Sequence, residues 1–316
     1  MKNLFHPKPF IGNTQAIISK SYSSKLNGLN RISVDRQIDP TKAIDWDSPD
    51  MAIDLEDPIW IPTCNTALTE SAWFQNLPNK KKTQLALDIL GEHIGLQIAV
   101  EHVLQRGLLG LVKSNKISSE EFQYIHNEII EESRHTIMFK IFLDKIKQRP
   151  IGFPILHRPL ISISYPVFYH FPEMLALYIH TFEEIVNYIN LRTHNQKAHP
   201  LYKKIAQIHS LEESRHLSFA RLFLNERIPK LSKAKKSYLM FQIPSILRVF
   251  SDIALIPKHS AQKYKVPKKV MSEAYENNSE YHKDLHRCTS ATREIMRENH
   301  LTNRATEKYW ARLGLI

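Results

Sequence analysis

The sequence predicts an all-α protein built around a four-helix bundle, and three observations carry that expectation. Only eight of 316 residues are glycine, while long stretches are rich in Leu, Ile, Ala, Glu and Lys. Apolar residues recur at helical spacing through four long segments, with a long connection between the second and the third. The peptide Glu-Ser-Arg-His occurs twice, at Glu132 to His135 and at Glu213 to His216, each time within one of those segments. A chain of this length can bury a substantial core as one large domain or two.

Residues 1 to 65 read as an irregular segment wrapping the core, with turns at Asp39-Pro40, Ser48-Pro49 and Asp57-Pro58. A short helix is expected over 69–75. After Pro78 the series Leu85, Ile89, Ile94, Ile98, Val103, Leu104, Leu108 and Leu111 describes one long helix to about residue 113. Ser118-Ser119-Glu120-Glu121 starts the next, which runs to about 147 and stops before Pro150. Residues 150–172 carry five prolines among apolar residues and read as an ordered crossover. The third and fourth bundle helices follow at 172–193 and 200–225. Four helices with a long middle connection fit a ferritin-like bundle, here placed within 66–230. Residues 231–316 add helical segments at roughly 234–256, 267–299 and 302–313, packed on the bundle as part of one domain overall.

A helix turns about 100° per residue, so Glu132 and His135 share one face, as do Glu213 and His216. Two Glu-x-x-His elements on two helices are what a dimetal carboxylate site in a bundle requires. The match extends further, because 130–143 aligned with 211–224 shares Glu-Glu-Ser-Arg-His and a later Phe-Leu. One Glu-x-x-His alone is weak evidence, and charge pairs on a solvated face would look similar. Yet Ile129, Ile130, Ile137 and the run from Phe139 to Leu143 leave little polar stripe around the first copy. Carboxylates amid that much apolar surface need partners.

The other two bundle helices should each give one inward carboxylate. The first offers Glu92 and Glu101; Glu101, between Ile98 and Leu104 near the helix middle, is level with Glu132 of an antiparallel neighbour. The third offers Glu183 and Glu184. Its apolar stripe centres on Phe182, from which Glu183 lies about 100° away and Glu184 about 200°. Glu183 is therefore the expected donor and Glu184 an outward charge or a partner to other groups. His209 stands one turn before Glu213, where the first copy has Glu128. It is placed either as a third nitrogen donor or as a core histidine satisfied by a backbone carbonyl. Arg134 and Arg215 each precede a motif histidine and could pair with carboxylates behind the site.

His-x-x-x-Glu-x-x-His on the fourth helix with Glu-x-x-His on the second resembles the p-aminobenzoate N-oxygenase family of di-iron oxygenases. The stretches Ile38-Asp39-Pro40 and Ile44-Asp45-Trp46-Asp47 are similar to that family's segment before the bundle, so the resemblance covers about 30–229. It implies four Glu and three His as metal ligands, namely Glu101, Glu132, His135, Glu183, His209, Glu213 and His216. It also implies two iron ions, with manganese suited to the same donors, O2 as co-substrate, and oxygen transfer to the nitrogen of an arylamine-like substrate. A carbon hydroxylase, a desaturase or a non-catalytic iron-binding bundle on the same donors remain open. No catalytic residue beyond the ligands follows from the sequence.

The chain has no G-x-G-x-x-G fingerprint and no cysteine cluster, so electrons are expected from an external reductase or ferredoxin. The two cysteines, Cys64 and Cys288, suggest a reducing compartment, and a cytoplasmic location is expected. The formal charge of +11 is partly local, in Lys80 to Lys82, Lys233 to Lys236 and Lys258 to Lys269. These clusters lack interleaved aromatics, so no nucleic acid is expected. They form a solvated basic surface or a docking face for an acidic partner. The apolar stretch 238–256 is interrupted by Pro244, Arg248 and Asp252 and reads as a buried or interface helix rather than a membrane span. The first 34 residues lack acidic groups, a superficial likeness to a transit peptide that the family resemblance weakens. A homodimer is compatible with all of this.

Overall fold

The computed structural model describes residues 22–113, 117–194 and 197–316, and among these there is no strand. Four long helices form the bundle: α2 (Asn79–Val112), α3 (Ser119–Lys145), α5 (Pro172–His194) and α6 (Pro200–Arg227). α2 lies along α3 and α5 along α6, and α2–α5 and α3–α6 contacts close the square. The protein is thus all-α with a ferritin-like arrangement, as the sequence predicts. Helix starts follow local chemistry. Ser118 and Glu121 form a capping box at α3, and Pro200 occupies the first turn of α6, where a missing N–H leaves no bond unmade.

The crossover crosses the flank of α2, where glycines admit it. A Cβ at Gly95 would stand 2.3 Å from the backbone nitrogen of Ile151; farther along, Gly107 admits α5 instead, where a Cβ would stand 2.6 Å from the Leu175 side chain. This crossover is not irregular throughout: residues Arg158–His170 form α4, packed on α2. Pro159 sits in its first turn, where proline is tolerated, and Pro166 lies inside the helix.

The N-terminal region also departs from the expected irregular segment. Residues Tyr22–Asp35 form α1, which lies against α3 and α6, and single turns follow at Pro40–Ala43 and Trp60–Thr63. The signal was faint because the buried residues of α1 are Leu26, Asn30 and Ser33, two of them polar. Asn30 earns its burial by donating to the Glu120 carbonyl at 3.0 Å. The short helix expected over 69–75 is split in two by Ser71, whose hydroxyl caps Ala72–Gln75. Residues 1–21, including most of the stretch likened to a transit peptide, lie outside the described residues.

After the bundle come α7 (Lys233–Leu255), α8 (Lys258–Lys263), α9 (Ser279–Arg287), α10 (Ser290–Glu298) and α11 (Arg304–Arg312). α7 and α10 pack on α5, α8 packs on α2, and α11 packs on α7. The single helical segment expected over 267–299 is broken, because Asn278 accepts from Glu280 N and Tyr281 N and so starts a new helix. Among the described helices, α7 alone has the length and composition of a span. It buries Leu239, Ile243, Leu247, Phe250 and Ala254 within the protein.

Candidate metal centre

Two apolar clusters fill the interior, and the polar layer lies where all four bundle helices meet. α2 supplies Glu101, α3 supplies Glu132 and His135, α5 supplies Glu183, and α6 supplies His209, Glu213 and His216. All seven are at most 3 % exposed. The fold therefore gathers every residue the sequence singles out for this layer. They form two groups whose donor atoms lie within 4.8 Å of one another: Glu101, His135, His209 and Glu213 in one, and Glu132, Glu183, Glu213 and His216 in the other.

The two central carboxylates divide their oxygens between the groups. Glu132 Oε2 is 3.0 Å from His135 Nδ1, while its Oε1 is 3.0 Å from His216 Nδ1. Glu213 Oε1 is 2.9 Å from His209 Nε2 and 3.6 Å from His135 Nδ1, while its Oε2 is 3.5 Å from His216 Nδ1. That is the disposition of two bridging carboxylates. Glu101 Oε1 completes one side, 3.2 Å from His209 Nε2, and Glu183 Oε1 the other, 3.8 Å from His216 Nδ1.

Behind the histidines lies a crossed set of carboxylates that sequence reasoning did not assign. His135 of α3 turns Nε2 to Glu212 of α6 at 2.9 Å, and His216 of α6 turns Nε2 to Glu131 of α3 at 2.9 Å. Each acid then accepts the Nε2–H, which leaves Nδ1 with a lone pair aimed at the centre. Arg215 ties the two together, donating to Glu131 at 2.9 Å and to Glu212 at 3.4 Å. The doubled Glu-Glu in both repeats was the available signal. Arg134, its counterpart, instead reaches Gln37 at 3.3 Å, so only one of the two arginines serves the site. His209 meets the Asn190 amide through Nδ1 at 2.7 Å, not a backbone carbonyl. As placed, Asn190 Nδ2 donates to Nδ1; reversing that amide would let Nδ1–H donate to its oxygen and turn the Nε2 lone pair to the centre.

The electrostatics show a layer built for cations. Burial, reinforced by the neighbouring carboxylates, raises Glu101 and Glu183 well above the usual range. Burial also pushes Glu132 up, but the His216 charge and hydrogen bonds from Glu101, His135 and His216 outweigh it and hold Glu132 low. His135 goes the other way from a buried histidine, up to about 10, because Glu132 and Glu212 override desolvation. Several inward atoms find no hydrogen bond: both Glu183 oxygens and Glu213 Oε2. Orphaned lone pairs converging in a dry layer are costly without a charge between them. The donor set, carboxylate oxygens and imidazole nitrogens only, fits two ions of iron or a similar metal.

Glu184 is neither outward nor part of this layer. Its carboxylate accepts from the backbone N–H groups of Ala291 and Thr292 and from the Thr292 hydroxyl, capping the start of α10. Burial pushes it up to about 7, with those donors opposing. Glu92, the acid set aside on α2, similarly accepts from His259 N and Ser260 N at the start of α8. The neighbouring pair on α5 gives a clean contrast. Glu183→Gln should lower bound metal with little change in the melting temperature of the metal-free protein. Glu184→Gln should leave metal content unchanged and destabilise by about 1–2 kcal/mol through the weakened cap. Metal analysis and thermal melts on both variants check this.

The profile of the p-aminobenzoate N-oxygenase AurF family matches residues 19–299. Similar chains are uncharacterized proteins from two strains of Mycobacterium tuberculosis and from Mycobacterium bovis, each 25% identical over 298 residues, covering 92% of this chain and 86% of theirs. No solved structure matches. With that match spanning nearly the whole described fold, and with paired Glu-x-x-His helices enclosing two donor groups, the chain belongs to the p-aminobenzoate N-oxygenase AurF family.

Proposed function

We propose that this protein is a di-iron monooxygenase that uses O2 to oxygenate the nitrogen of a small, arylamine-like substrate. The observation that carries the reading is the pair of donor groups that share Glu213, with Glu132 reaching a histidine of each, inside a family named for N-oxygenation. Iron bound there would supply O2 binding and its reduction. Hydroxylation of an amine then balances as amine, O2, two electrons and two protons giving hydroxylamine and water. The electrons come from an external reductase or ferredoxin, for which the exposed Lys233 and Lys235 offer a basic docking point.

The chain's own residues perform the rest. Glu131 and Glu212 fix the imidazoles of His216 and His135, and Arg215 fixes those acids. Phe139 packs edge-on against His209 with ring centroids 4.9 Å apart, and Tyr124 and Phe219 stack near the other end of the layer, which keeps bulk water out. A cavity of about 70 Å³ lies about two to three helical turns from the centre, lined by His93 of α2, Ile189 and Thr193 of α5 and Tyr202 of α6, together with Thr63 and Tyr275 from outside the bundle. We assign it to a small substrate because three of the four site helices line it.

The test is anaerobic loading with ferrous iron, exposure to O2, and addition of p-aminobenzoate or other arylamines. The absorbance that develops with O2 should decay several-fold faster with a competent amine, and an N-oxygenated product should appear by mass spectrometry. Decay indifferent to every amine would transfer support to carbon hydroxylation, desaturation or simple iron binding.

A further inference from the structure

The two donor groups are unequal. Only Glu213 belongs to both groups of four, but Glu132 Oε2 also lies 3.0 Å from His135 Nδ1 of the first group; with Glu132 counted on both sides, the first has three further donors, Glu101, His135 and His209, and the second has two, Glu183 and His216. The internal repeat says where a third belongs. α3 and α6 carry equivalent Glu-x-x-His elements, and the residue four before the bridging glutamate is His209 on α6 and Glu128 on α3. Spacing of i, i+4, i+7 puts Glu128, Glu132 and His135 on one face, as it does His209, Glu213 and His216. The helices are related so that His135 meets His209, their rings 4.4 Å apart, at one end of the layer. Glu128 is correspondingly placed at the other end, with His216.

The surroundings of Glu128 agree. It is 1 % exposed, and neither of its oxygens has a hydrogen-bond partner. The charges that act on it are those of His216, Glu132, Glu213 and Glu131, and it acts in turn on Glu183, so it faces the second group. Its carboxylate is outside the set of atoms lying within 4.8 Å of one another, which leaves a side-chain rotation between its present position and the centre. A fully buried carboxylate with no partner is destabilising, and a structural role would have given it a donor.

We infer that Glu128 is an additional carboxylate donor for the metal ion on the His216–Glu183 side, the counterpart of His209 on the opposite side. This rests on the two-metal reading of the centre. Anaerobic titration with Co(II), followed by calorimetry and by the visible Co(II) spectrum, separates the two sites without reference to turnover. The wild-type protein should take up two equivalents. Glu128→Gln and Glu128→Leu should keep the first and bind the second about 10–100-fold more weakly, with a changed spectrum for that ion. His209→Ala should weaken the other equivalent instead. Glu128→Leu should also raise the melting temperature of the metal-free protein, because it removes an unpaired acid from the core. Two equivalents bound with unchanged affinity and spectrum by Glu128→Leu would overturn the assignment, as would equal weakening of both sites or a lower melting temperature of the metal-free variant. Uptake of fewer than two equivalents by the wild-type protein would instead refute the two-metal reading itself.

Discussion

Glu213→Ala is expected to reduce bound metal from about two ions per chain to fewer than roughly one, since a carboxylate shared by both positions is lost from both. Glu213 gives Oε1 to the His135–His209 side and Oε2 to the His216 side, and Glu132 likewise has one oxygen near His135 and the other near His216. The loss should be accompanied by destabilisation of the loaded protein. An ion present at a thousand times its dissociation constant stabilises the fold by about 4 kcal/mol, so losing two forfeits about 8 kcal/mol. At about 2–4 °C per kcal/mol, the melting temperature measured with iron should fall by some 15–30 °C, while the metal-free proteins should differ far less. Metal analysis with paired melts, with and without chelator, checks the result. Two retained ions in Glu213→Ala would remove the bridging role.

Arg215→Leu should have the second largest effect, although Arg215 faces no donor position. Its guanidinium is the shared partner of Glu131 and Glu212, both at most 1 % exposed. Its removal leaves two buried carboxylates without their counter-charge, and breaking a buried pair from one side typically destabilises by about 3–5 kcal/mol. The same loss frees the acids that aim His135 and His216, so metal affinity should fall about 10–100-fold. Arg134→Leu is the matched control. Arg134 meets Gln37 near the surface, and its replacement should change stability by less than about 1 kcal/mol and leave metal affinity alone. Equal behaviour of the two arginine variants would mean that the asymmetry between the repeats has no energetic content.

The bundle and the seven gathered residues were legible because both rest on one-dimensional regularities. A repeated pentapeptide at helical spacing fixes which faces of α3 and α6 converge, and the apolar stripe around Phe182 separates Glu183 from Glu184. What was not legible depends on a neighbour that the periodicity of a single helix does not describe. Glu131 and Glu212 lie about 100° from the adjacent motif glutamates, and only the antiparallel pairing of α3 and α6 turns that offset into a contact with the opposite histidine. The roles of Glu92, weighed as an inward donor, and of Glu184, read as an outward charge or a partner to other groups, were hidden because α8 and α10, whose first turns they cap, lie outside the bundle. α1 was hidden for a related reason: its buried face is partly polar, and its Asn30 is satisfied by α3. Helices dictated by their own apolar stripe were visible, and those dictated by a partner's hydrogen-bonding groups were not.

The crossed pairing of Glu131 with His216 and Glu212 with His135 also bears on how long an ion would stay bound. If α3 slid past α6 by one helical turn, about 5.4 Å, both contacts would break together, and the bridging acids would leave register with them. No small adjustment of one helix opens the layer while preserving the other half of the cross. Escape of an ion by parting α3 from α6 therefore requires a concerted local opening that breaks both contacts at once. Dissociation by that route would be set by how often the helices open locally as well as by the strength of the coordinating bonds, so chelators at neutral pH would strip the centre at a rate that levels off as chelator concentration rises.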